Sequence, residues 1–523
     1  MKNYGPALVS GLLLAMAFPA LHWYLVMWFA LIPLLLHGRH ASPRESALQF
    51  FLAGWVFNSL VLHWLLSNIY WAGAWAILAY QALSLFMAAY WALLGFLYAL
   101  CRRTLKPLPA ALVLALLWMT METLQASLFS GFGWCALGYA QGKNLPLLQW
   151  AALGGVSLIS AAVVAVNACL AEAIGAHGRQ RVFSLLCAAG LFVLLHVGGY
   201  ALLREADYGG KPFRVGLVQP DFPQEMKWDE EYQVEMVRNA AEKSRILATV
   251  DGCDLFVWPE SLVSSPIDTG AILQIIQETT GATRTPLFTG AIRIDPETDG
   301  VRNSSYYFTA QGEIEGFYDK MHLAPFGEYV PFGDYFPFIE QFVPAIGGVE
   351  AGDEPEVFPV GSRTLGPLIC FEVLFTEMAM DLKRQGADFI VVITNLSWFG
   401  ASGAIPQELE IARLRAVETR LPLVHCANTG ITGVFDPYGR FEGINGRINA
   451  FGDYRHYDVE PEMTIMGRFL GVLPVAKPAP HALPWGPRWL PWIVTVLAGL
   501  LVGVSIWRTR ASFSRARTRE TRP

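Results

Sequence analysis

Three residues in the middle of this chain are of the types needed for covalent acyl transfer: a thiol, a carboxylate and an amine. Cys370 closes the apolar run Gly366-Pro367-Leu368-Ile369 and is followed at once by Phe371-Glu372. Glu260 follows a second run, Leu255-Phe256-Val257-Trp258, and a proline, Pro259. Lys320 lies in Tyr318-Asp319-Lys320-Met321-His322-Leu323-Ala324-Pro325-Phe326-Gly327-Glu328, surroundings rich in proline and aromatic residues and unusual for a solvated lysine. A lone cysteine at a strand end is more often core than nucleophile. Glu260 shifts that balance, because a carboxylate where a strand leaves its sheet needs a reason to be there. If the three ends converge, Cys370 is the nucleophile and Glu260 its base. Lys320 is then the cation that lowers the thiol pKa and faces the developing oxyanion.

The elements that must position them are set in a membrane frame. The chain is 53% hydrophobic and 16% charged, with a mean hydropathy of +0.36, far from an average soluble protein. Apolar stretches near the ~20 residues that span a bilayer fall at Pro6–Ala20, Trp23–His37, Ala47–Leu66, Ala72–Leu100, Ala110–Leu128, Leu147–Ile174, Val182–Leu203 and Trp489–Trp507. This predicts a polytopic helical bundle of about eight spans. Positive charge is divided unevenly between the loops. Arg39, Arg44, Arg102, Arg103, Lys106, Arg179, Arg181 and the six arginines from Arg508 to Arg522 fall on one side, and only Lys143 on the other. Positive charge stays cytoplasmic, so both termini are expected inside and the block between the seventh and eighth spans outside, in the periplasm of a Gram-negative inner membrane. The arginine tail suits anionic lipid better than nucleic acid, since no folded or aromatic element accompanies it.

Four regions follow: a membrane domain over 1–207, a catalytic domain over 208–485, a last span over 486–507 and a basic tail over 508–523. Within the second, Phe213–Gln219, Asp254–Trp258, Pro286–Ile292, Ser304–Thr309, Leu365–Cys370, Phe389–Thr394, Pro422–Asn428 and Thr432–Asp436 read as strands. Trp228–Ala248, Ala271–Thr280, Leu374–Gln385 and Gln407–Arg420 read as helices. Strands outnumber helices, so an α/β domain of sheets with helices outside is expected. Of the seven cysteines, Cys253, Cys370 and Cys426 fall in this domain, and a Cys253–Cys426 bridge is left open. No spacing of cysteine or histidine marks a metal site, no cofactor is implied, and the scattered histidines read as structural.

The flanking residues are familiar. Phe256-Val257-Trp258-Pro259-Glu260, Lys320-Met321-His322-Leu323-Ala324-Pro325-Phe326-Gly327-Glu328-Tyr329-Val330-Pro331, Ile369-Cys370-Phe371-Glu372, Trp398-Phe399-Gly400 and Asn428-Thr429-Gly430-Ile431-Thr432 resemble the apolipoprotein N-acyltransferases, the membrane branch of the nitrilase-like carbon–nitrogen hydrolase superfamily. Gly133-Trp134 and Gly138-Tyr139-Ala140-Gln141 resemble that family's membrane part. The resemblance implies an αββα sandwich and a two-step reaction. A phospholipid, typically phosphatidylethanolamine, acylates Cys370, and the N-terminal amine of an S-diacylglyceryl apolipoprotein then takes the chain. It also implies that Glu328 positions Lys320 and Glu260, that Glu372 holds the loop after the nucleophile, and that Trp228 lines the entrance.

This chain departs from the family pattern at three points. Phe371 stands where tyrosine is usual, Leu396 replaces an aspartate, and the helix near Gln407–Glu410 lacks a histidine often found there. The aromatic stretch Phe332–Phe342 is a candidate lid. A tethered amidase acting on a soluble amide is the alternative enzyme. A receptor or transporter is the non-enzymatic one, though few charges lie within the spans.

Overall fold

The computed structural model describes residues 3–69, 73–204, 213–222, 230–250, 252–268, 270–329, 348–443, 467–473 and 486–520. Trp228 and the 332–342 stretch lie outside these residues. The chain divides into two compact units: residues 1–63, 78–204 and 483–523 form one, and residues 64–77 and 205–482 the other.

The first unit is helical: α1 (Gly5–Ala17), α2 (Pro43–Val61), α3 (Trp75–Arg102), α4 (Pro107–Ser127), α5 (Ala151–Ile174), α6 (Gly178–Arg204) and α11 (Gly486–Glu520). Among the described residues, five helices are long and apolar enough to cross a membrane: α3, α4, α5, Gly178–Leu203 and Gly486–Trp507. The expected eight are therefore not all met, and the shortfall has local causes. α1 has 13 residues. The Trp23–His37 stretch breaks into a 3-10 turn, Tyr24–Trp28, and a six-residue helix, Ile32–His37, with Pro33 at its start. α2 begins with a capping box between Ser42 and Glu45, and it carries Arg44, Gln49 and Asn58, which dilute its apolar run. Glu172, near the end of α5, pairs with Arg39 at 2.8 Å and Arg102 at 2.6 Å. That ion pair gathers three basic loops at one end of the bundle. The Gly138–Gln141 motif lies in a buried 3-10 turn, whose Leu137 N–H donates to Glu122 in α4.

The second unit contains two mixed sheets. The first has the order β13-β1-β2-β4-β5-β6, with β3 beside β4. Its strands are β1 (Phe213–Gln219), β2 (Leu255–Val257), β3 (Val263–Pro266), β4 (Leu287–Ile294), β5 (Val301–Phe308), β6 (Ile314–Asp319) and β13 (Gly467–Leu473). The second has the order β12-β11-β10-β9-β8-β7, with β7 (Phe358–Val360), β8 (Arg363–Ile369), β9 (Phe389–Thr394), β10 (Leu423–Ala427), β11 (Gly433–Phe435) and β12 (Phe441–Gly443). One core joins the facing sides: Val215, Leu217 and Val257 from the first sheet, and Leu365, Val391 and Val424 from the second. α7 (Glu230–Val250) and α8 (Gly270–Thr283) cover the outside of the first sheet through Met236, Val237, Ile272 and Ile276. α9 (Thr376–Arg384) and α10 (Ala404–Thr419) lie against the second. This is the expected αββα sandwich. Cys426 is buried in the inter-sheet core, Cys253 packs against the cluster under α7, and no disulfide joins them. The segment after α2 belongs to this unit. Trp64 Nε1 donates to Gln407 Oε1 at 3.0 Å, and Ser67 Oγ to the Phe399 carbonyl at 3.1 Å.

Leu217 has no exposed surface and sits between the sheets, so Leu217→Ala should cost about 2–5 kcal/mol. Ile314, 38% exposed, should tolerate alanine within about 0.5 kcal/mol. Thermal melting of the purified protein in detergent checks both.

Candidate active site

Glu260, Lys320 and Cys370 leave the sandwich at the ends of β2, β6 and β8, and each is held there by its neighbours. The strand that delivers Glu260 is pinned by Trp258. Its N–H donates to the Phe288 carbonyl at 2.9 Å, and its indole donates to Ser244 Oγ in α7 at 2.9 Å. The chain then turns at Ser261, whose φ of 51° is left-handed. Gly290 in β4 leaves room for this turn, because a Cβ there would lie 2.8 Å from Glu260 Cα and 2.9 Å from Ser261 N.

Lys320 is 1% exposed. Its backbone N–H donates to the Asn303 carbonyl, and its carbonyl accepts from Gly352, which fixes the segment after β6. Its Nζ lies 2.8 Å from Glu328 Oε2 and 3.6 Å from Glu260 Oε1. Burial works against this charge, but Glu328 first and then Glu260 outweigh it, so the ammonium is held more firmly than in water. Burial also works to raise Glu328, yet Lys320 and the Ala324 N–H, 2.7 Å from Oε2, hold its carboxyl below the usual range. Asn303 completes the cluster, its Nδ2 donating to Glu260 Oε1 at 2.9 Å and to Glu328 Oε1 at 2.7 Å. Sequence reading missed Asn303. The available signal was an amide in β5, a strand otherwise suited to β-branched and aromatic residues.

Cys370 takes a left-handed φ of 51°, which costs a non-glycine residue about 1–2 kcal/mol. The strain turns the chain sharply from β8 into a 3-10 turn, Cys370–Leu374. Two buried side chains hold that turn. Glu372 Oε1 accepts from Tyr318 Oη and Met321 N at 2.7 Å and from His322 N at 3.1 Å, while Oε2 accepts from Ile369 N at 2.7 Å. Burial lifts its carboxyl to about 7, against the pull of those donors. Arg415 in α10 donates to the Leu374 carbonyl and to Thr376 Oγ1. Glu372 thus ties Ile369, before Cys370, to Tyr318, Met321 and His322. Phe371 contributes an aromatic edge, its ring 5.4 Å from that of Phe375.

The thiol differs from the sequence expectation in one respect. Lys320 does favour the thiolate, but burial and then Glu260 favour the thiol more strongly, so Cys370 is held well above the ordinary cysteine range. At rest the sulfur is protonated, and its activation needs a base rather than the cation alone.

A thiol, a carboxylate and a lysine come together at the ends of two face-packed sheets, in a domain of the carbon–nitrogen hydrolase class. Residues 214–447 match the carbon-nitrogen hydrolase family, and residues 10–169 match the apolipoprotein N-acyltransferase N-terminal domain. An apolipoprotein N-acyltransferase of Geobacter metallireducens is 32% identical over 464 residues, covering 85% of this chain and 87% of its own. One from Pseudomonas syringae pv. tomato is 28% identical over 97% of both. The chain belongs to the apolipoprotein N-acyltransferase family. Among solved structures, Saccharomyces cerevisiae Nit3 of the nitrilase superfamily aligns with 44% of this chain and 85% of its own, at 20% identity and a TM-score of 0.35.

Gly290→Ala must displace the backbone at Glu260. It should slow acyl transfer at least tenfold while lowering stability by only about 1–3 kcal/mol, the range for overpacking. Turnover and melting of the same preparation separate the two effects.

Proposed function

We propose that this membrane protein moves a fatty acyl chain from a phospholipid to the N-terminal amine of a diacylglyceryl apolipoprotein, by way of a thioester on Cys370. The observation that carries the reading is the Glu260–Lys320–Cys370 cluster, with Glu328 and Asn303 behind it, in a chain of this family. Glu260 takes the Cys370 proton as the sulfur attacks the ester carbonyl. Lys320 is placed to balance the negative charge that develops on the carbonyl oxygen. The glycerol oxygen leaves with that proton as a lysophospholipid. The acceptor amine then attacks the thioester, Glu260 takes the amine's proton, and the sulfur leaves and recovers it. Trp228 lining the entrance, and phosphatidylethanolamine as the donor, belong to the same proposal.

Membership in this family disfavours the alternative of a tethered amidase. The site is read as periplasmic and both termini as cytoplasmic in an inner membrane. The uneven arginines support this, and so does the gathering of Arg39 and Arg102 on Glu172, which puts their loops at one end of the bundle.

Enzyme exposed to phospholipid without acceptor should carry an acyl mass on the Cys370 peptide, and Cys370→Ala should abolish both adduct and turnover. Varying both substrates should give parallel double-reciprocal lines; intersecting lines, or an adduct on Cys253 or Cys426, would reject the mechanism. Protease added to intact spheroplasts should cut within residues 208–485 and spare the arginine tail. Loss of the tail under those conditions would reject the orientation.

A further inference from the structure

Behind the nucleophile lies a second buried ionisable pair that the reaction as written does not use. Thr394 ends β9, and the parallel register pairs Ile369 with Ile393, so Cys370 and Thr394 follow side by side at the ends of adjacent strands. Thr394 is fully buried, and its hydroxyl donates to Glu408 Oε1 in α10 at 2.9 Å. The other oxygen of Glu408 faces His425 Nε2 in β10 at 3.6 Å. Both residues are 1% exposed, and neither of these two atoms has a hydrogen-bond partner among the described residues.

Proton bookkeeping on this pair is constrained. His425 Nδ1 lies 2.7 Å from the Ile431 carbonyl, which can only accept, so Nδ1 carries a hydrogen. Nε2 and Oε2 would then present two lone pairs to each other inside the protein unless one proton sits between them. An imidazolium beside a carboxylate and a neutral acid beside an imidazole both satisfy that requirement, and both leave the pair with no net charge. A bare carboxylate at Glu408 would oppose a negative sulfur at Cys370, which also faces Glu260 from the end of β2 and Lys320 from the segment after β6.

We propose that Thr394, Glu408 and His425 are positioning residues for acyl transfer: the shared proton cancels the charge of Glu408, which then fixes the Thr394 hydroxyl beside Cys370 without opposing the thiolate. The inference rests on Cys370 being the nucleophile whose proton passes to Glu260.

The test is the pH dependence of Cys370 alkylation by iodoacetamide in the full-length enzyme, read by mass spectrometry and set beside turnover. His425→Leu strips the proton partner from Glu408 and should move the profile up by about one pH unit, so that labelling at fixed pH falls about tenfold. Adding Glu408→Gln removes the stranded charge and should bring labelling back to within about threefold of the wild type, a coupling that independent sites would not show. Glu408→Gln alone keeps an oxygen for Thr394 and offers an N–H to Nε2, so its profile should lie at or below that of the wild type. An unmoved His425→Leu profile, or a double variant no better than His425→Leu, overturns the inference. If His425→Leu does not melt cooperatively, isosteric Thr394→Val decides: about tenfold slower acylation with KM little changed supports the inference, and wild-type acylation overturns it. Wild-type enzyme that keeps full turnover after labelling at Cys370 would reject the nucleophile itself, a distinguishable result that also removes the inference.

Discussion

A lysine ammonium with 1% exposure is tolerable only where carboxylates stand in for its lost water, and Glu328 and Glu260 do so for Lys320. Neither carboxylate would be stable there alone. Asn303 ties both to one amide, so the three charges and the amide behave as one object. The members come from three parts of the first sheet: the end of β2, the first half of β5, and the segment after β6, which carries both Lys320 and Glu328. The arrangement of that sheet therefore has a purpose beyond burying its apolar faces. Removing Lys320 would leave two buried carboxylates facing each other without a cation.

The second sheet supplies the opposite kind of constraint, one of direction. Cys370 must leave β8 in a left-handed conformation, and Glu372 and Arg415 hold the turn that follows. The sulfur arrives neutral, beside a carboxylate, Glu260, that faces the lysine. Such a thiol reacts slowly with electrophiles near neutral pH and faster as the pH rises.

Much of this was legible in the sequence. The runs Phe213–Gln219 and Phe389–Thr394 are strands from end to end, the second a continuous β-branched and aromatic run, the first a short apolar run with Phe213, Val215 and Val218. The carboxylate, amine and thiol could be named because each breaks an apolar or aromatic context. Short edge strands such as β7 and β12, three residues each, carry too little pattern to be read. Asn303 was missed because its partners lie far off in sequence, at Glu260 and Glu328. His425 reads as structural from sequence, since nothing local to β10 points to its neighbour Glu408. The early spans failed differently: hydropathy averages over Trp23–His37 hide the break before Pro33 that the backbone obeys.

The pairing of β1 with β13 has a consequence for how the sandwich is made. Phe213 pairs with Leu473 and Gln219 with Gly467, so the first and last described strands of the first sheet lie side by side. Its border strand is contributed last, after more than two hundred intervening residues. Until that strand arrives, β1 offers an unpaired rim of backbone amides and carbonyls to any other extended chain. The final strand thus acts as a closing seam, and the interval before it forms is when the newly made domain is most exposed to mispairing.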